Sequence, residues 1–231
     1  MLLVTGGAGF IGSNVVAALN DAGRDVAVCD VLGHDGKWRN LAKRRLADVV
    51  PPSELMDWLK GRRLEAVIHL GAISETTATD GDLVIETNFR LSMRLLDWCT
   101  ANATPLIYAS SAATYGDGSA GFGDDQSMDA LKKLRPMNLY GWSKHLFDMA
   151  VAERAARGEQ ITIRQADRDN ASVSNEPRSV ALASSSRSRK MGARRFGIGP
   201  WSVTLPRSCF GGLYASRDLC SHDAQRESLW L

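Results

Sequence analysis

Tyr140 and Lys144 stand four residues apart in the segment Tyr140-Gly141-Trp142-Ser143-Lys144, a spacing that stacks a phenol and an ammonium on one face of a helix. A free phenol, with a pKa near ~10, is a poor base at neutral pH unless nearby positive charge stabilises the phenolate. Lys144 can supply such charge, so the pair reads as an acid/base couple able to move a proton on and off an oxygen. Ser111 follows the apolar stretch Pro105 to Ser110. A strand there would present the Ser111 hydroxyl at its carboxyl end, where α/β sheets hold their ligands and where it could orient a reacting oxygen. A Tyr and a Lys at this spacing are often ordinary surface residues, and their significance depends on what precedes them.

What precedes them is Val4-Thr5-Gly6-Gly7-Ala8-Gly9-Phe10-Ile11-Gly12. Gly6, Gly9 and Gly12 fall between a first apolar stretch and a first helical pattern. One permits a tight turn, the next removes the Cβ that would block a pyrophosphate, and the third lets helix and strand pack closely. The helix N-terminus then offers its unpaired N–H groups to the phosphates. Asp30 lies about twenty residues past the glycines, at the end of a second apolar run. There a carboxylate accepts hydrogen bonds from adenosine ribose hydroxyls, which favours NAD. Lys37 and Arg39 follow in the next loop and could pair with a 2′-phosphate, which keeps NADP open, or be solvated loop cations. A bound nicotinamide cation would add to the positive charge around Tyr140.

Positioning these groups requires strands that end side by side. Short apolar runs at Leu2 to Thr5, Val26 to Asp30, Glu65 to Leu70 and Pro105 to Ser110 alternate with longer amphipathic stretches, the order that gives a parallel sheet with helices on both faces. Ile11, Val15 and Leu19 recur at four-residue spacing, and Leu91, Leu95 and Trp98 stripe the segment Leu83 to Cys99. A further helix is predicted from about Leu139 to Arg157, ending before Gly158 and turning Leu139, Phe147 and Val151 inward. The expected fold class is therefore α/β, a doubly wound parallel sheet of Rossmann type over residues 1–160. Beyond about Gln160 the composition shifts: roughly one residue in six is Ser, and Lys190 is the one lysine among many arginines. No strand–helix alternation is read there, and 161–231 is expected to be an irregular tail without a recognisable substrate domain, or a segment translated out of frame.

Composition narrows the function classes. The 231 residues carry a formal charge of only +2, too little for the concentrated basic face of a nucleic-acid partner. The 44% hydrophobic content contains no run near the ~18 residues of a membrane span, so no membrane partner is expected. No export signal is read at the N-terminus. Cys29, Cys99, Cys209 and Cys220 lack metal-ligand or CxxC spacing, so neither a metal nor a disulfide framework is expected and a cytoplasmic setting fits.

The segments Thr5 to Gly12, Ser110-Ser111-Ala112-Ala113-Thr114-Tyr115-Gly116 and Tyr140 to Lys144 resemble the signatures of extended short-chain dehydrogenases, the nucleotide-sugar epimerases and dehydratases. Within that family, His69 to Thr77 and Leu106 to Ala109 resemble most the epimerases acting on an ADP-bound heptose in lipopolysaccharide core assembly. The likeness covers roughly residues 1–155. It implies NADP-dependent epimerisation, in which hydride leaves a sugar carbon, a ketone forms, and hydride returns to the opposite face. It also implies a nucleotide-sugar substrate and homo-oligomeric assembly in intact relatives. By motif, Phe10, Ile11, Asp30, Lys37, Gly71, Ala72, Ile73, Ser74 and Asn88 would contact the cofactor, and Asn88 reads equally as a residue that orders the sheet. Tyr140 would be acid/base, Lys144 would hold ribose and tune Tyr140, and Ser111 would orient the substrate oxygen. His69 reads as a structural strand end. The family's Asn-Val-Tyr-Gly-Pro-like turn, sugar-binding domain and second catalytic lysine find no counterpart in Gln165 to Leu231.

Overall fold

A computed structural model describes residues 1–159 in full and the backbone of 163–166. Strand β1 (Leu2–Thr5) leads into α1 (Phe10–Asp21), and β2 (Val26–Cys29) into a 3₁₀ turn at Lys37–Asn40. The short β3 (Asp48–Val50) and α2 (Leu55–Trp58) precede β4 (Ala66–His69). A continuous helical stretch then runs as α3 (Gly81–Val84), a π-helical segment (Ile85–Arg90) and α4 (Leu91–Ala101). After β5 (Leu106–Ala109) come a 3₁₀ turn at Ala112–Tyr115, α5 (Met128–Leu131), α6 (Leu139–Ala156) and β6 (Ile163–Ala166).

The six strands order as β3-β2-β1-β4-β5-β6 and every pairing is parallel. This is the order of a dinucleotide-binding sheet, whose direction of winding reverses between β1 and β4 and opens a crevice beyond their carboxyl ends. The register Thr5↔Cys29 and Thr5↔His69 brings the Gly6 loop, Asp30 and the Gly71 loop to that crevice. The expected fold class holds over the described residues.

Strand alternation divides the core into two layers. Leu3, Ala27, Val67, Leu106 and Tyr108 face α2, α4 and α6 through Leu55, Leu59, Leu95, Leu96 and Phe147. Leu2, Val4, Val26 and Val28 face α1 through Val15, Val16 and Leu19. Because both faces are covered, the strands read as continuous apolar runs rather than alternating ones, and each fully buried Leu, Val or Phe contributes about 1.5–3 kcal/mol.

Two strands depart from the sequence reading. β3, three residues long, carries too short a pattern to register and exists through its pairing with β2 at Ala27↔Asp48 and Cys29↔Val50. β6 lies beyond residue 160, where no strand was expected, and pairs with β5 from Leu106↔Ile163 to Ala109↔Ala166. The sheet thus continues a few residues past the predicted boundary. The rest of the expected tail over 161–231, with Cys209 and Cys220, lies outside the described residues.

Candidate active site

The Gly6–Gly12 loop joins β1 to α1 under tight steric control. A Cβ on Gly12 would lie 2.0 Å from the Gly6 carbonyl oxygen, so only glycine lets the first turn of α1 pack on the loop. No side chain caps α1, whose N-cap is Gly9, and Phe10 and Ile11 stand 61% and 44% exposed. The side chains of Ser13 and Asn14 bond the Phe10 carbonyl oxygen, so neither caps the N–H groups of the first turn. A cleft of about 300 Å³ lies beside them, lined by Gly9, Phe10, Asp35, Gly36, Lys37 and Asn40. An uncapped helix tip flanked by an ammonium is a donor set suited to phosphate.

Behind the loop, two side chains clamp the Ala8 peptide. Its N–H donates to Asp30 Oδ2 at 2.7 Å, and its carbonyl accepts from Asn40 Nδ2 at 2.8 Å. Lys37 Nζ donates to Asp30 Oδ1 at 3.1 Å, with a side chain only 12% exposed. Lys37 is therefore a partly buried partner of Asp30, whereas Arg39 is exposed and lies over the Trp38 ring. Burial pushes the Asp30 carboxyl up, opposed first by the Ala8 hydrogen bond and then by Lys37. Asn40 was not singled out in the sequence; its position three residues after Lys37 is the only signal.

The loop after β4 is fixed from inside. Thr5 Oγ1 accepts the Gly71 N–H at 3.1 Å and lies 2.6 Å from His69 Nδ1. Ser92 donates to the Asn88 carbonyl at 2.6 Å, which leaves its oxygen to accept from His69 Nε2 at 2.8 Å. His69 therefore carries a proton on Nε2 and, held neutral by burial, accepts the Thr5 hydroxyl at Nδ1. Burial pulls its pKa down to about 3, and the Lys144 charge adds to the effect. Asn88, inside the π-helical segment, accepts the Ile73 N–H at 2.8 Å and donates to the Ile73 carbonyl at 2.9 Å and to Ser143 Oγ at 2.9 Å. The Asn88 amide thus ties the Gly71–Ser74 loop to α6 rather than bonding a strand of the sheet. Ala72 and Ile73 are buried and Ser74 is half-buried.

Helix α6 begins at Asn138, whose Oδ1 accepts the Gly141 N–H at 2.8 Å. A Cβ on Gly141 would lie 2.5 Å from the Ala113 carbonyl oxygen, so glycine lets this first turn press onto the turn that follows β5. The contact brings Ser111 close enough to Tyr140 for its hydroxyl to favour the phenolate. Burial pushes the Tyr140 phenol above its ordinary value, the Ser111 bond opposes this, and the Asp148 charge adds to the rise. Lys144 is 3% exposed, and its Nζ lies 5.9 Å from the centre of the Tyr108 ring. Burial pulls its pKa down to about 8 against the upward pull of Asp148. Asp148, four residues further on, accepts from Tyr108 Oη at 2.5 Å and Ser110 Oγ at 2.6 Å. The sequence reading missed it, although the same i,i+4 step that linked Tyr140 to Lys144 leads to it. Glycine loop, Gly71 loop and Ser111–Tyr140 pair all lie at the carboxyl ends of β1, β4 and β5.

Among the described residues, no helix is long and apolar enough to cross a membrane, and no cluster of His, Cys, Asp or Glu could hold a metal ion.

Comparison with known proteins gives this arrangement a lineage. Residues 2–165 match the NAD dependent epimerase/dehydratase family. The ADP-L-glycero-D-manno-heptose-6-epimerase of Fusobacterium nucleatum is 45% identical over 153 residues, covering 64% of this chain and 46% of that protein. The enzyme of the same name from Nitratidesulfovibrio vulgaris is 47% identical over 154 residues, covering 64% and 47%. The chain spans about half the length of these curated relatives. In structure it is similar to the Helicobacter pylori ADP-L-glycero-D-manno-heptose-6-epimerase, with a TM-score of 0.57 at 30% identity over 66% of this chain and 50% of that one. It is also similar to the UDP-glucose 4-epimerase of Brucella ovis in complex with NAD, with a TM-score of 0.53 at 27% identity over 71% and 49%. By sequence and by fold, the chain belongs to the NAD dependent epimerase/dehydratase family.

Proposed function

We propose that residues 1–160, completed by β6, form the dinucleotide-binding and acid/base part of a nucleotide-sugar epimerase, with NADP as cofactor and an ADP-bound heptose as substrate. The observation that carries this reading is the convergence of an uncapped α1 tip and the closely packed Ser111 and Tyr140 turns at the same sheet edge. The sugar assignment draws on the relatives named heptose 6-epimerases.

Each residue then has a stated task. Gly6, Gly9, Gly12, Phe10 and Ile11 present the α1 tip to the pyrophosphate, and Gly71, Ala72, Ile73 and Ser74 form the opposite wall, held by Asn88. Asp30 binds the adenosine ribose. Lys37 neutralises Asp30, removing the repulsion a lone carboxylate would exert on a 2′-phosphate, and this supports NADP over NAD. Tyr140 exchanges a proton with the sugar hydroxyl, Ser111 holds that oxygen, and Lys144 contributes positive charge and a ribose contact. The bound nicotinamide supplies the hydride acceptor and donor. Without that cation, burial keeps the Tyr140 phenol protonated.

Fluorescence titration with NADPH and NADH, followed by an epimerisation assay on ADP-heptose, tests the reading. Binding with NADPH preferred, and turnover abolished in Tyr140→Phe while binding persists, is the expected result. Unchanged turnover in that variant would reject the catalytic assignment. A UDP-sugar converted in place of the ADP-heptose would point instead to a 4-epimerase or dehydratase. Tight cofactor binding with no conversion would instead support a second reading, a dinucleotide-binding unit without turnover of its own.

A further inference from the structure

We propose that Asp148 is a positioning residue of the candidate active site: its buried carboxylate, held by the Tyr108 and Ser110 hydroxyls, locks the end of β5 to α6 so that Ser111 meets Tyr140, and supplies counter-charge to Lys144. The proposal deepens the reading given under Proposed function and rests on it for the meaning of Tyr140 and Lys144, but its geometry stands apart from any cofactor.

Asp148 is 2% exposed. A carboxylate so deep in a protein is costly unless charge and donors compensate it. Both oxygens are taken by hydroxyl donors, Tyr108 of β5 at 2.5 Å and Ser110, the residue after that strand, at 2.6 Å, distances typical of charge-assisted bonds. These are alternate residues at the strand end reaching across to one helix. Tyr108 is further fixed by an edge-to-face contact with Phe147 at 4.8 Å between ring centres. Ser110 adjoins Ser111, so a fixed Ser110 limits where the Ser111 hydroxyl can sit relative to Tyr140 one turn above Lys144.

Among the described residues, the charged and titratable groups acting on this cluster include Lys144 and Tyr140 on α6, Tyr108 on β5 and, coupled to Lys144, His69 on β4. His69 is neutral near pH 7 because its pKa lies at about 3. The Asp148 charge favours the Lys144 ammonium and disfavours the Tyr140 phenolate. Removing it while keeping the side-chain shape moves both ionisations to lower pH.

The test is the pH dependence of unfolding by denaturant, for the chain and for Asp148→Asn, each compared with its counterpart carrying Lys144→Met. Folded Lys144 loses its proton near pH 8 and the unfolded lysine near 10.5. Above pH 8 the unfolded chain therefore binds more protons, and stability rises with pH. Cys29 and Cys99, pushed up from 9 to about 12, act in the opposite direction above pH 9, so the onset is read below it. The expected result is an onset near pH 8 in the chain, lower by about one unit or more in Asp148→Asn, and absent with Lys144→Met. An equal onset in the chain and in Asp148→Asn overturns the proposal, since a merely structural Asp148 would lower stability evenly across pH. If Asp148→Asn does not fold, Ser110→Ala carries the test. It keeps the charge pair and frees the strand end, so the onset stays near pH 8 while Tyr140 ionisation, read by ultraviolet difference against Tyr140→Phe, moves up as its Ser111 bond weakens. An unmoved Tyr140 ionisation overturns the proposal. Failure of the functional reading shows separately, as absence of NADPH binding.

Discussion

Replacing Asn88 by Ala removes the amide that joins three parts of the site, and the cost follows from the bonds it leaves unmade. Asn88 is 1% exposed and Ile73 is 1% exposed, so the Ile73 N–H and carbonyl, now bonded at 2.8 and 2.9 Å, would be orphaned away from water. Each buried, unpaired backbone group costs about 1–3 kcal/mol. The third bond, to Ser143 Oγ at 2.9 Å, matters less because Ser143 still donates to the Tyr140 carbonyl at 2.7 Å. A loss of about 3–5 kcal/mol is expected, a large share of the ~5–15 kcal/mol stability of a typical domain. Urea unfolding followed by circular dichroism reads it as a lower midpoint at unchanged slope. Amide hydrogen exchange at Ile73 should accelerate more than exchange in β1, because the break is local. Asn88→Asp keeps an acceptor for the Ile73 N–H but sets a carboxylate oxygen against the Ile73 carbonyl, so it should be no more stable than Asn88→Ala. A loss below about 1 kcal/mol in Asn88→Ala would refute the reasoning, for it would mean that Ile73 finds other partners readily.

Three further outcomes are expected. As pH falls, the unfolded chain protonates His69 near its ordinary 6.5 while the folded chain resists to about 3; stability from neutral His69 is complete above 6.5 and drains between those values at up to about 1.4 kcal/mol per pH unit, and His69→Gln should flatten that part of the acid limb in a pH-dependent melt. Lys37→Met removes the cation 3.1 Å from Asp30 and should weaken NADPH binding about tenfold or more relative to NADH, whereas equal losses for both would deny Lys37 a part in cofactor choice. Gly12→Ala drives a methyl to 2.0 Å from the Gly6 carbonyl, which should cost about 1–3 kcal/mol or more in a thermal or urea melt and abolish cofactor binding; retained affinity would show that the α1 tip is not the pyrophosphate site.

The sequence exposed most of what local pattern controls. The four central strands, whose apolar runs are bounded by turn residues, fall within a residue or two of their predicted limits, and α6 ends one residue before the predicted Arg157. β3 escaped because three residues carry no period, and β6 because a biased composition around it masked the β-branched residues of 161–163. At the site, the glycine loop and the Tyr140–Lys144 spacing were visible because chemistry imposes a fixed local pattern on them. Asp148 and Asn40 were not, and Asn88 was named without its partners, since these lie 40, 32 and 15 residues away and only the fold brings them together. Lys144 illustrates the same limit from the other side. Spacing placed it on the Tyr140 face, but burial and Asp148, which sequence does not display, set its charge.

The central claim is that one dinucleotide spans from the α1 tip to the Ser111–Tyr140 pair. Amide resonances of the isotopically labelled chain, followed during titration with NADP, address it directly. The account predicts that Gly9 to Gly12, Gly71 to Ser74 and Ser111 shift together along one saturating curve. Saturating shifts elsewhere, with Gly9 to Gly12 unmoved, would contradict it.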